Sequence, residues 1–239
     1  MESYAKMPYS VLRISGNAEK TLNGITSNTL DAPRNAFLDI YGKIVATFYQ
    51  QRLNGEIFIA LPAKSLSASL AHLKPYAAIG KAMVETTQLQ AYYLPEEDTM
   101  EMPGFKIPER QGCVLIAPNL PMALNQMDDD EFTLLRLERG ISMQGIEFEN
   151  EMIMNTDWKD AVSFSKGCYL GQEIVSKISM RGKPPKKLVR VAFEKEPQNL
   201  NIENSQLLTK AYSKSLGKWI AYCSLPSQIK EVKGGQIID

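Results

Sequence analysis

Ser165-Lys166-Gly167-Cys168-Tyr169-Leu170-Gly171-Gln172-Glu173 is the stretch on which the reading of this chain turns. A cysteine stands between two glycines. Glycine reaches positive φ and lets other backbone come close, so the sulfur can sit at an open, tightly turned position. Lys166, two residues away, favours the thiolate form of Cys168. The opposing reading is a packed structural thiol, since free cysteine is among the most buried residue types. Glu173 to Met180 alternates apolar and polar residues, so the turn is expected to feed a strand.

Outward from that stretch, the rest of the chain narrows the chemistry. It has 239 residues, 44% hydrophobic and 23% charged, near the soluble globular average. Such a length holds a sizeable core without disulfides or a structural metal. Lys plus Arg is 27 and Asp plus Glu is 27. That balance argues against a nucleic-acid coat, which needs excess positive charge. The lone histidine, His72, excludes a metal site built on several histidines. Cys113, Cys168 and Cys223 lie far apart with no Cys-x-x-Cys pair, which fits a reducing compartment. Cys113 and Cys223 fall in strand-like runs and read as packed. No run reaches the ~20 apolar residues of a membrane span, and Met1 to Ser10 lacks a signal-peptide core. The expectation is a soluble, cytoplasmic protein.

Periodicity gives the elements. Tyr9 to Ile14 reads as a strand, with Asn17 as N-cap of a short helix carrying Leu22 and Ile25. Ala36 to Ile40 and Ile44 to Gln51 flank Tyr41-Gly42-Lys43, a hairpin pattern, and Asn54-Gly55 marks a second hairpin. Leu66, Leu70 and Leu73 define a helix face that Lys74-Pro75 is expected to end. Ala82 to Leu94 reads as one long strand, residues 95 to 111 as loop, and Val114 to Ala117 as strand. Asp128 to Glu131 reads as a helix N-terminus complementing the dipole, with Gly140 closing the helix. Leu188 to Phe193 and Leu216 to Ser224 suggest a small all-β tail.

Lys166-Gly167-Cys168-Tyr169-x-Gly171-Gln172-Glu173 resembles the signature of the YgfZ family, folate-binding proteins related to the aminomethyltransferase (GcvT, T-protein) of glycine cleavage. Leu12 to Gly16 with Leu22-Asn23-Gly24-Ile25-Thr26-Ser27-Asn28 is similar to that family's opening strand and helix. Gly42-Lys43 matches its hairpin turn, Arg136 to Ile141 its R-x-E-x-G-I helix end, and Arg181-Gly182 and Leu216-Gly217 later positions.

The resemblance implies an α+β architecture: two interleaved α/β subdomains over 1–183, and a C-terminal β-barrel over 184–239, around a folate channel. It assigns Cys168 and Lys166 to the chemistry. Glu138, Lys166, Tyr169 and Arg181 are assigned to a tetrahydrofolate or related folate, with Glu138 accepting from the pterin. Lys177, Arg181, Lys183, Lys186, Lys187 and Arg190 form a basic segment suited to a polyglutamate tail. The implied role is support of iron–sulfur cluster assembly or repair in client proteins, including tRNA-modifying radical enzymes. The implied partners are folate and those clients, with no nucleic acid, no membrane and a monomeric state; no metal site is expected. Two departures stand against the transferase relatives. Ala46 and Thr47 occupy the place of their paired aspartates, and Asn155-Thr156-Asp157 that of Pro-x-Glu. A folate-dependent one-carbon transferase is therefore the alternative, and a scaffold without folate the third.

Overall fold

The computed structural model describes residues 3–95, 102–120, 124–182 and 184–238. In chain order the elements are β1 (Ser3–Lys6), β2 (Tyr9–Gly16), α1 (Ala18–Asn23), β3 (Arg34–Leu38), β4 (Ile44–Leu53), β5 (Glu56–Pro62), α2 (Leu66–Gly80), β6 (Ala82–Thr86) and β7 (Gln90–Leu94). There follow β8 (Phe105–Glu109), β9 (Gly112–Ala117), β10 (Asn125–Gln126), α3 (Asp129–Arg139), α4 (Gln172–Met180), β11 (Lys186–Phe193), β12 (Gln206–Ser213), β13 (Lys218–Pro226) and β14 (Gly235–Ile238). They form a mixed α/β fold of three sheets.

The first sheet has the order β3-β4-β5-β2-β6 and the second β10-β1-β7-β9-β8. The two are interleaved in sequence, because the chain crosses between them twice. Met7-Pro8 joins β1 to β2, and the short link 87–89 joins β6 to β7. The run from Ala82 to Leu94 is thus two strands in two sheets rather than one. Its alternation continues through the link, so only tertiary pairing reveals the break: Thr86 pairs with Leu12 and Gln90 with Ala117. Ala5, Tyr9, Val11, Tyr49, Val114, Ile116 and Trp158 share a single buried core that joins both sheets. The helices α1 and α2 cover the other face of the first sheet over Leu22, Phe37, Phe48, Ile59 and Leu73.

Both expected hairpins form. Asn54 and Gly55 take φ 52° and 79°, the left-handed pair that a two-residue turn between twisted strands requires. Asp128 caps α3 in a capping box, its side chain accepting from the Glu131 N–H and the Glu131 carboxylate accepting from the Asp128 N–H. Gly140 ends that helix at φ 72°.

Three local expectations are corrected. Pro75 lies inside α2, which runs on to Gly80. Proline frees the carbonyl four residues back, but Ala71 and Pro75 are both on the exposed face of the helix, where that oxygen does not have to be buried unpaired. Residues 172–180 are helical, not a strand: Ile174, Val175 and Ile178 fall on one helical face, and Val175 is fully buried. Within the stretch read as loop, 96–101 lies outside the described residues and Phe105–Glu109 is a strand paired to β9.

The tail is a four-stranded antiparallel sheet, order β12-β13-β11-β14, over its own core of Val191, Phe193, Ala221, Cys223 and Leu225. Among the described residues no pairing joins β12 to β14 to close it. No described helix is long and apolar enough to cross a membrane.

Candidate functional site

The quoted stretch is held from behind by glycines. Gly171 takes φ 82° as N-cap of α4, and a Cβ there would lie 2.4 Å from the Asp39 carbonyl oxygen. Gly42, at φ 75°, leaves only 3.1 Å for a Cβ against Val175. The hairpin turn and the start of α4 therefore meet backbone to backbone. Gly167 differs: its added Cβ would meet nothing within 4 Å.

In front, the stretch meets the segment 24–28. Leu170 N–H donates to Gly24 O and Ser163 N–H to Ser27 O, while Ser27 Oγ donates to Ala161 O. The two motif segments that carry the family resemblance are thus brought together. Lys166 Nζ donates to Thr26 O at 2.8 Å, Thr26 Oγ1 at 3.2 Å and Asn28 O at 2.8 Å. All three ammonium protons are engaged. Burial lowers its pKa to about 8. Tyr169 is buried beneath it, with Nζ 5.5 Å from the ring centre. Burial pushes the Tyr169 hydroxyl up to about 12, and that hydroxyl has no hydrogen-bond partner.

Cys168 is exposed and carries a free thiol, whereas Cys113 and Cys223 are buried in β9 and β13. Burial raises the Cys223 thiol to about 12. Cys168 and Lys166 line a cleft of about 360 Å³ with Gly167, Glu19, Asp31 and Arg52.

The other expected residues lie apart from this cleft. Glu138, on α3, accepts at Oε1 from Ser213 Oγ (2.6 Å) and Ser215 Oγ (2.9 Å), tying the helix to the tail sheet. It lines a separate cleft of about 450 Å³ with Glu131 and Leu135. Arg181 is exposed at the far end of α4. In the basic segment, Arg190 donates to the Leu137 and Glu138 carbonyls, Lys177 pairs with Glu173 at 2.6 Å, and Lys183 lies outside the described residues. Of the departures, Ala46, Thr47, Asn155 and Thr156 are buried and Asp157 is half-buried; Thr47 N–H donates to Gln144, and Asp157 accepts from Ser142.

A third cleft, of about 660 Å³, has no counterpart in the sequence reading. Pro33, Arg34, Pro95, Pro108, Glu109, Arg110 and Asp160 line it. Arg34 donates to Asp160 at 2.8 Å and stacks 3.9 Å above the Trp158 ring. Its Nε lies 3.6 Å from Glu109 Oε2, an ion pair too long to be a hydrogen bond. Behind them Tyr9 and Tyr49 are buried, their hydroxyls held well above the usual range by burial and by the Glu109 charge. Arg34, Glu109, Tyr9 and Tyr49 come from four separate strands, and no local motif marks them. Among the described residues, no group of three or more His, Cys, Asp or Glu side chains is placed to hold a metal.

The chain is 14% identical to, and superposes with a TM-score of 0.74 on, the glycine cleavage system aminomethyltransferase T from Bartonella henselae. The fold is that of aminomethyltransferase T. The superposition covers 94% of this chain and 78% of that one. By sequence, the chain is 29% identical over 189 residues to an uncharacterized protein of Haemophilus influenzae, spanning 73% of this chain and 67% of that protein. It is 22% identical over 228 residues to the mitochondrial iron–sulfur cluster assembly factor IBA57 homolog of Mycosarcoma maydis. That match spans 79% of this chain and 57% of the relative's length. No family model matches the sequence.

Proposed function

We propose that this protein is a folate-binding accessory of the YgfZ type that supports iron–sulfur cluster assembly or repair in other proteins. The observation that carries the reading is the junction of segment 24–28 with the Cys168 stretch on an aminomethyltransferase T fold. The similarity to an iron–sulfur cluster assembly factor supports it independently. In this reading 1–183 holds the folate, and the tail 184–239 is a separate β-module packed on α3 through Glu138 and Arg190. Lys166 and Tyr169 fix the loop from which Cys168 presents its thiol. The clients are iron–sulfur proteins, tRNA-modifying radical enzymes among them, met by a cytoplasmic monomer.

The residues present fit a folate: Glu138 lines a cleft of about 450 Å³, and a carboxylate there can accept from the N–H groups of a pterin ring. When bound, the folate supplies a reduced pterin ring. Aminomethyl transfer is the weaker reading, because Ala46 and Thr47 put no carboxylate where the transferases carry theirs, and proton handling there needs one. A thermal titration with tetrahydrofolate derivatives tests the proposal. Binding to the folded chain raises the melting temperature by mass action. An unchanged melting curve at saturating ligand sinks the folate claim. Loss of cluster-dependent tRNA modification in Cys168→Ser cells is expected, and full retention would remove the thiol from the mechanism.

A further inference from the structure

Glu138 stands in the last turn of α3, and the tail sheet holds it by backbone and side chain together. Its backbone carbonyl, one of the last four of a helix and so without an intrahelical partner, accepts from Arg190 Nη1 of β11 at 2.7 Å. Its carboxylate accepts at Oε1 from Ser213 Oγ of β12 at 2.6 Å and from Ser215 Oγ of the β12–β13 turn at 2.9 Å. Ser213 is fully buried, and its Oγ in turn accepts from the Leu216 N–H at 3.1 Å. Ser215 Oγ lies 2.9 Å from Ser213 Oγ as well, so the two hydroxyls and Oε1 close a triangle. No described residue donates to Oε2, and that oxygen is not sealed in the interior. Neither serine lines the cleft of about 450 Å³ that Glu138 lines with Met127, Leu134 and Leu135. A carboxylate on a helix surface ordinarily samples several rotamers, and fixing one of them costs conformational entropy. Here that ordering is in place before any ligand arrives.

We propose that Ser213 and Ser215 are positioning residues of the folate site: they hold Glu138 by one carboxylate oxygen and leave the other for the pterin. The inference rests on the folate reading and deepens it, because it makes the tail sheet a working part of the site. A carboxylate offers roughly four lone-pair positions, shared between its two oxygens. The serine hydroxyls take those of Oε1, so the ring N–H and the exocyclic amine of a pterin are received at Oε2. An acceptor fixed in advance gains affinity because binding no longer has to order it. Ser213 carries the larger share. It is buried, and with its oxygen accepting from the Leu216 N–H its one proton is committed to Glu138. Both serines lie off the cleft and act through Glu138 alone.

The experiment measures dissociation constants of 5-formyltetrahydrofolate for the full chain as wild type, Ser213→Ala, Ser213→Thr, Ser215→Ala, Ser215→Thr and Glu138→Gln. Melting curves of each protein are taken alongside. Expected is binding that weakens about tenfold in Ser213→Ala, the weight of one hydrogen bond to a charged group, and less in Ser215→Ala. The threonine variants return the hydroxyl and are expected to return the affinity, which a loss of packing alone does not predict. Ser215 is exposed, so its variants report even if those at Ser213 fail to fold. Glu138→Gln is expected to bind most weakly of all. Alanine variants that bind as tightly as the wild type, while Glu138→Gln is weakened, overturn the positioning role and keep the folate reading. Tighter binding in them does the same, and marks the serines as competitors of the ligand. A loss in Ser215→Ala that Ser215→Thr does not restore also overturns the role. Unchanged binding in Glu138→Gln overturns the proposal and keeps folate as the ligand. A wild type that binds no folate overturns both.

Discussion

Gly42 and Gly171 touch backbone to backbone, so the β3–β4 hairpin and the start of α4 have a spacing that no other residue type permits. Gly171→Ala places a Cβ 2.4 Å from the Asp39 carbonyl and asks alanine to hold φ 82°. The left-handed backbone and the overpacking together cost roughly 2–5 kcal/mol. Denaturant unfolding is expected to show that loss. Gly167→Ala, facing open space, is expected to leave stability unchanged, and equal losses in the two variants would contradict this account.

Glu147 is the saturated partner in the interior. Removing it in Glu147→Ala strands the Arg136 charge, and breaking a buried pair of this kind costs about 3–5 kcal/mol. Thr209→Val removes a single hydroxyl donor and costs about 1–3 kcal/mol, since Glu147 keeps its other partners. Urea midpoints of the two variants against the wild type check the order.

Lys166 gives the chain a pH signature. Burial lowers its pKa to about 8 from the usual 10.5 of a lysine. Below pH 8 both folded and unfolded chains hold the proton, and the cost of burying the charge is fully present. Between about 8 and 10.5 the unfolded chain binds the proton and the folded chain does not. Stability contributed by this group therefore rises with pH through that window. The difference in melting temperature between the wild type and Lys166→Met is expected to move in favour of the wild type from pH 7 to 9.5. A difference independent of pH would remove the effect.

The three cysteines separate by exposure. In the native protein iodoacetamide is expected to label Cys168 alone, with Cys113 and Cys223 reacting only after unfolding. Mass mapping of the labelled peptides decides it.

The elements legible in the sequence are those governed by local rules. Asn54-Gly55 makes its turn, Asp128 and Glu131 make their capping box, and Leu66, Leu70 and Leu73 line up on α2. Where a local rule fails, tertiary context decides. Ile174, Val175 and Ile178 fit a helix face better than the apparent alternation suggests, and the burial of Val175 selects it. Lys166, Cys168 and Tyr169 were legible as a group because they are neighbours in sequence. Glu138 and Arg181 lie elsewhere in the fold. Arg34, Glu109, Tyr9 and Tyr49 gave no signal, since their meeting depends on strands from both sheets.

The position of β1 has a consequence for synthesis on the ribosome. Of the described strands this one is the earliest in the chain, yet it pairs with β7 on one side and β10 on the other. The first sheet needs only residues up to Thr86 and can complete early. The second must wait for Leu94 to emerge before β1 gains its β7 neighbour, and for Asn125-Gln126 before its other edge is paired. Nascent chains stalled before Leu94 emerges should expose β1 to protease and to chaperones, and those stalled well beyond Gln126 should not.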